Sequence, residues 1–181
     1  MDRNTAFELV KTRISNKNLR KHIIAVEAVM AAMAAEFGEP PEKWALAGLL
    51  HDLDYEETLK DPARHALVTA ELLAGTDVPS DVIDAIKAHA DKKPRETKME
   101  KAIYCADPVT GFLVACALIR PEKKLAAVNV EFAKSRMKEK RFAAGADRNR
   151  INACSDIGLS IEKFMELSLK AMQNISVELE L

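Results

Sequence analysis

The stretch Leu49-Leu50-His51-Asp52-Leu53-Asp54 constrains this chain more than any other. It sets a histidine and an aspartate side by side, directly after an apolar run that must be buried. Carrying an ionised carboxylate inside a protein costs several kcal/mol unless partners meet it there. The fold therefore has to bring other groups to residues 51 and 52, and a metal ion is the usual partner.

The strong periodic signals along the chain are helical. Thr5-Ala6-Phe7-Glu8 has capping-box form and predicts a short helix to about Ile14. Asn16 caps a predicted helix from Lys17 to about Phe37, along which Leu19, Ile23, Val26, Met30 and Met33 keep helical spacing. His22 lies at the margin of that stripe. Pro41 suits the first turn of a third helix, Glu42 to about Leu53, which buries Trp44, Leu46, Leu49 and Leu50. His51 and Asp52 fall in its last turn. Asp61-Pro62 predicts a helix to Ala74 with His65 near its start, and Pro79-Ser80 opens another that ends at His89. Thr97-Lys98-Met99-Glu100 is a second capping box, and its helix is expected to run to about Ile119. Pro108, inside it and next to Asp107, is expected to kink it or remove one backbone bond. Gly145 and Gly158 divide the last third into shorter helices. Ser160 caps a final one to about Val177, with Ile161, Phe164, Met165, Leu167 and Leu169 as its apolar set. Strand-like alternation, hairpin turns and internal repeats are missing. The expected fold is all-α: one domain over residues 1–181, with a core at about 16–120 and C-terminal helices at about 121–181 packed on it.

Composition sets wide bounds. With 181 residues, 48% apolar and 30% charged, the chain suits one sizeable core. A net charge of -1 gives no global field toward nucleic acid or membrane. No continuous apolar run reaches the roughly 18 residues that a bilayer requires, and Met1-Asp2-Arg3-Asn4-Thr5 lacks the basic-then-apolar plan of a signal peptide. Cys105, Cys116 and Cys154 are odd in number and sit in apolar helical stretches, which reads as buried free thiols in a reducing compartment. A cytoplasmic location is the expectation.

Chemistry concentrates in four histidines, His22, His51, His65 and His89, each within or at the end of a predicted helix. Asp52 adjoins the second, and Asp107 follows the last in the apolar setting Ala102-Ile103-Tyr104-Cys105-Ala106. A lone helical histidine is ordinarily a packed or surface residue; it is the set that points to a metal. Neutral imidazoles with carboxylates suit Mn, Fe, Co, Ni or Zn, and the lack of a cysteine pair argues against a closed structural zinc site. Helical bundles build such sites from ligands on separate helices.

The order His22, then His51-Asp52, then Asp107 resembles the H…HD…D signature of the HD-domain superfamily of metal-dependent phosphohydrolases. His65 and His89 resemble the two extra histidines of its H…HD…H…H…D subgroup. The resemblance covers about residues 16–120 and leaves the C-terminal third outside the motif. It implies a helical bundle in which His22, His51, Asp52 and Asp107 bind one divalent ion. In binuclear members the aspartate of the pair bridges to a second ion, held here by His65 and His89. The implied cofactor is one or two ions of Mn, Fe, Co, Ni, Zn or Mg. Two departures matter: Leu53-Asp54 replaces the familiar Ile-Gly, and no Gly-Tyr-Pro follows His89. The second argues against the cyclic-dinucleotide phosphodiesterase subgroup that carries that tripeptide.

A bound metal lowers the pKa of water from about 15.7 toward 7, and a second ion roughly 3.5–4 Å away clamps attacking and leaving oxygens. The reaction expected is hydrolysis of a phosphomonoester or phosphodiester, with a nucleotide as the small-molecule substrate. Asp52 would hold the attacking water against the metal, while His65 and His89 would bind a second ion or the phosphate oxygens. Arg20, Lys21, Lys92, Lys93 and Arg95 neighbour ligands in sequence and are candidate phosphate contacts, weighed against a solvated charged face. Asp54 and Glu56 are candidates for orienting ligands or for acid–base work, weighed against an exposed helix end. Lys134, Arg136, Lys138, Lys140 and Arg141 form a basic stretch that Glu131 and Glu139 dilute, with only Phe132 and Phe142 for stacking. A solvated face is the better reading there, so nucleic acid and membrane are both disfavoured as partners. The alternatives kept open are a metal-binding regulatory or ligand-binding module with little turnover, and a protein- or RNA-binding helical domain.

Overall fold

In the computed structural model, which describes residues 1–181, the chain is helical throughout and contains no strand. Helix α1 (Arg3–Arg13) begins two residues before the predicted capping box, because the Asp2 carboxylate accepts from both Thr5 N and Thr5 Oγ1. Helix α2 (Lys17–Glu36) starts as predicted, with the Asn16 side chain accepting from the amides of Asn18 and Leu19. Its stripe of Ile23, Val26, Met30 and Met33 is fully buried. Helix α3 (Pro41–Leu50) lies against α2 at backbone distance. A Cβ on Gly48 would come within 2.8 Å of the Glu27 nitrogen and 2.9 Å of the Val26 carbonyl carbon, so only glycine fits that crossing.

Helix α3 stops at Leu50, short of its predicted end, and residues 51–54 form a turn. His51 and Asp52 therefore sit just beyond the helix rather than in its last turn. A four-residue helix, α4 (Tyr55–Thr58), follows. The helix predicted from Pro62 to Ala74 is broken into a single 3-10 turn at Pro62–Arg64 and α5 (Leu67–Leu73). His65 and Ala66 occupy the break, with Ala66 in the left-handed region at φ 66°. The break is held from outside: buried Asp54 accepts from the Thr69 amide at 2.9 Å and bonds the His65 ring at 2.8 Å. A tertiary carboxylate here overrides local helical preference.

Helix α6 (Ser80–His89) ends on its histidine, and α7 (Lys98–Leu118) opens with the complete Thr97–Glu100 capping box. Helix α7 runs through Pro108 as one helix, the proline contributing no backbone donor. By length and composition α7 alone is apolar enough to cross a membrane, yet 56% of its apolar window is buried against the other helices.

After α7 come α8 (Val130–Met137), α9 (Arg148–Asn152), α10 (Ile161–Asn174) and α11 (Ser176–Leu179). The final predicted helix is thus split at Ile175 rather than continuous to Val177. Helix α10 packs against α2, and α9 against α7. One apolar cluster of 45 buried residues includes Val26, Leu50 and Phe112 as well as Phe164, Met165 and Met172 of α10, so the C-terminal helices share the core with the rest. All three cysteines are buried and free.

Candidate metal centre

Five elements deliver side chains to one point. α2 brings His22, the turn after α3 brings His51 and Asp52, and the break before α5 brings His65. The last residue of α6 is His89, and the middle of α7 carries Asp107. The carboxylate of Asp52 is at the centre, and its two oxygens divide the imidazoles between them. Oδ2 faces His51 Nε2 at 3.3 Å and His22 Nε2 at 3.7 Å. Oδ1 faces His65 Nε2 at 3.4 Å and His89 Nε2 at 3.6 Å. Asp107 Oδ1 closes the first side, 3.2 Å from His22 Nε2. All six residues named as ligands from sequence are therefore brought together. His22, His51 and Asp107 form one group compact enough to hold a cation, and His51, Asp52 and His89 form another.

The opposite ring nitrogens fix the tautomers. His51 Nδ1 donates to the Gly48 carbonyl at 2.8 Å, and His89 Nδ1 donates to the Ile86 carbonyl. His65 Nδ1 donates to the Asp54 carboxylate at 2.8 Å. His22 Nδ1 lies 3.0 Å from Thr110 Oγ1, whose own proton goes to the Asp107 carbonyl at 2.9 Å, so that hydroxyl accepts from the imidazole. Each ring thus keeps a proton on Nδ1, so that its neutral form turns an Nε2 lone pair inward, the arrangement in which imidazole ligates metals.

The inward side is short of hydrogen. His51 Nε2 is buried with no hydrogen-bond partner. The Nε2 atoms of His65 and His89 face each other at 3.2 Å, although both rings already hold their proton on the far nitrogen. Lone pairs that converge in this way call for a cation or an extra proton between them. The charge balance within the cage points the same way. Burial alone would raise the Asp52 carboxyl, but the neighbouring His51 imidazole outweighs it and holds the acid well below its usual range. Burial opposes charge on His51, yet Asp52 wins and pushes that histidine up to about 9. His89, with burial dominant, is pushed down. Asp107 resists burial through its bond to His22 and is also lowered. A buried pair of carboxylates beside imidazole lone pairs fits a divalent ion, and harder ions as well as Zn can use this mixed donor set.

The cage forms one wall of a cleft of about 730 Å³. The lining also includes the small residues Gly111 and Ala115, beyond Asp107 on α7, and Ala143, Gly145 and Ala146 before α9; Tyr55 lines it too, its ring edge-on to His65 at 5.7 Å. Of the two neighbouring acids weighed from sequence, Asp54 is fully buried and orients His65. Glu56 instead accepts from the Ser15 and Asn16 amides at 3.1 and 2.7 Å, tying the α1–α2 connection and staying away from the cleft.

None of the five cations expected to meet phosphate lines the cleft. Arg20 donates to the Ile14 carbonyl at 2.6 Å, and Lys21 pairs with Glu180 at 2.5 Å. Lys92 reaches the Pro62 carbonyl at 3.4 Å and Lys93 pairs with Glu100. Arg95 pairs with Asp91 and stacks over Tyr104, 3.7 Å from the ring centre. For Arg20 and Lys21 the reason is helical geometry, since successive residues on α2 point about 100° apart; Lys92, Lys93 and Arg95 lie in the irregular segment after α6 and take partners outside the cleft. The cation that does arrive is Arg150, nine residues beyond the stretch read as a solvated basic face. Its Nη2 donates to Asp107 Oδ2 and to the His89 carbonyl, both at 2.9 Å. No motif or spacing in the sequence singles it out.

A family model described as HD domain matches residues 19–148, more than half of the chain and beyond the 16–120 span of the sequence resemblance. Among curated proteins, Ribonuclease Y of Nitratidesulfovibrio vulgaris (strain DP4) is 32% identical over 96 residues, which are 53% of this chain and 18% of that protein. Ribonuclease Y of Fusobacterium nucleatum is 32% identical over 95 residues, 52% of this chain and 19% of the relative. Ribonuclease Y of Mycoplasma capricolum is 29% identical over 95 residues with the same shares. The chain spans less than a fifth of the length of each of these relatives. No solved structure matches. With an all-helical bundle, a family model that matches residues 19–148 and a His/Asp cluster able to hold a metal ion, the chain belongs to the HD-domain family.

Proposed function

We propose that the protein is a metal-dependent phosphohydrolase that cleaves a phosphomonoester or phosphodiester of a nucleotide or of RNA. The observation that carries this reading is the division of the Asp52 carboxylate, with His22, His51 and Asp107 grouped at Oδ2 and His65 and His89 at Oδ1. His22, His51, Asp52 and Asp107 would hold one divalent ion, and Asp52 with His65 and His89 a second. Bound there, the metal supplies neutralisation of phosphate charge and acidifies the attacking water. The chain's own groups do the rest. Asp52 orients the water between the two histidine pairs. Thr110, Gly48, Asp54 and Ile86 hold each imidazole in the ligating tautomer. His65, 21% exposed and backed by Asp54, and His89 would hold that second ion through their Nε2 lone pairs on the Oδ1 side.

A phosphodiester in RNA is the second substrate reading, and the similarity to proteins named Ribonuclease Y favours it. It revises the weight given to nucleic acid from composition alone. The test joins metal content of protein purified without chelator to a panel of nucleoside monophosphates, dinucleotides and short RNA. One or two metal ions per chain with turnover that vanishes in Asp52→Ala supports the hydrolase. Metal with no turnover on any phosphate ester indicates a binding module, and full turnover in Asp52→Ala refutes the assignment.

A further inference from the structure

We infer that Arg150 is the phosphate-contacting side chain of the cleft, anchoring Asp107 through one guanidinium nitrogen and offering the other to a phosphate oxygen of the substrate. This rests on the hydrolase reading above. Among the residues lining the cleft, Arg150 is the only lysine or arginine. A phosphate ester entering there meets two carboxylates, Asp52 and Asp107, and needs positive charge beyond what the metal ligands neutralise.

The guanidinium is built for this. Nη2 is spent twice, on Asp107 Oδ2 and on the His89 carbonyl. Nε is buried without a partner, while Nη1 has no acceptor in the protein and is accessible to solvent on a residue that lines the cleft. The ring of Tyr104 lies 4.5 Å from the guanidinium carbon and holds its plane. A single carboxylate group separates Arg150 Nη2 from His22 Nε2, since Asp107 turns Oδ2 to one and Oδ1 to the other. The arginine is thus poised one ligand away from the cage, with a fixed plane and a free donor, as recognition of a phosphate oxygen requires.

The experiment measures binding of inorganic phosphate to the metal-loaded full chain by calorimetry, with metal stoichiometry and thermal midpoint recorded for wild type, Arg150→Lys and Arg150→Gln. The expected result is an at least tenfold weaker phosphate affinity in Arg150→Gln, an intermediate loss in Arg150→Lys, and unchanged metal stoichiometry in both. Free guanidinium added to Arg150→Gln should recover part of the loss. Unchanged phosphate affinity in both variants overturns the inference. So does loss of metal in step with loss of phosphate, which would make Arg150 only a positioning residue for Asp107. Should Arg150→Gln fail to fold, Arg150→Lys carries the same comparison. A wild type that loads no metal defeats the hydrolase reading alone: phosphate binding that still depends on Arg150 supports the contact, and absent binding overturns it.

Discussion

The cleft has a floor and a cover, and the two are held by different forces. The floor consists of long helices, α2, α3, α6 and α7, packed through apolar faces, and it buries His51 completely and His89 to 2% exposure. The cover, residues 142–150, is made of turns and the start of the five-residue helix α9. Its shape depends on Arg148, which donates to the carbonyls of Phe142, Ala143 and Ala146 and stacks on Phe112. Arg150 then ties it to the floor at Asp107. Apolar packing therefore places the His/Asp cluster proposed to hold metal, whereas arginine-to-carbonyl bonds shape the side proposed to meet substrate.

Changes to the floor should have the largest effects. Asp52→Ala removes the carboxylate shared by both halves of the cage, and metal content is expected to fall at least tenfold while circular dichroism keeps its helical amplitude. Gly48→Val forces a side chain into the Glu27 and Val26 backbone. Overpacking of this kind costs about 1–3 kcal/mol, read as a lower thermal midpoint, and metal affinity should drop with it because His51 bonds the Gly48 carbonyl. If instead Gly48→Val loads metal normally, the floor is more pliant than its packing implies.

The proton on His51 offers an intermediate effect. In the ion-free protein this histidine is raised to about 9, so below that pH an incoming ion must displace its proton. Metal affinity should therefore rise as pH increases toward 9 and level off above it, with proton release visible as a buffer-dependent heat of binding. The cover predicts a smaller and different change. Arg148→Ala frees residues 142–146, raising KM severalfold with metal content unaltered; equal loss of both would erase the distinction between the two regions.

The smallest effect lies farthest from the site. Glu100 accepts from Lys93 and from the Glu96 and Thr97 amides, and although burial opposes its charge these bonds lower its pKa. Its contribution is present above the ordinary glutamate pKa and is lost as pH falls through the lowered one. Glu100→Gln should cost about 1 kcal/mol at neutral pH and flatten the acid limb of the stability curve.

The same division explains what could be read from sequence. Helices α2, α6 and α7 follow from apolar spacing and caps, and their histidines and Asp107 come with them. His51-Asp52 was legible as a buried pair because Leu49 and Leu50 precede it, although the turn that carries it was not, since the bonds between its Asp54 and Thr69 reach across 15 residues. The break at His65 was hidden for the same reason. Arg150 was illegible on any local rule: its partners lie 43 and 61 residues back, and nothing in a basic stretch marks which arginine turns inward.

His51 and His89 each bond a main-chain carbonyl three positions earlier, while His22 and His65 rely on the side chains of Thr110 and Asp54. The first two imidazoles inherit their orientation from the main chain, which substitution of neighbouring side chains leaves in place. The other two can be retuned by a single change in Thr110 or Asp54. Drift in metal preference within such a scaffold thus has two dials, one on each side of the shared aspartate, and a fixed axis between them.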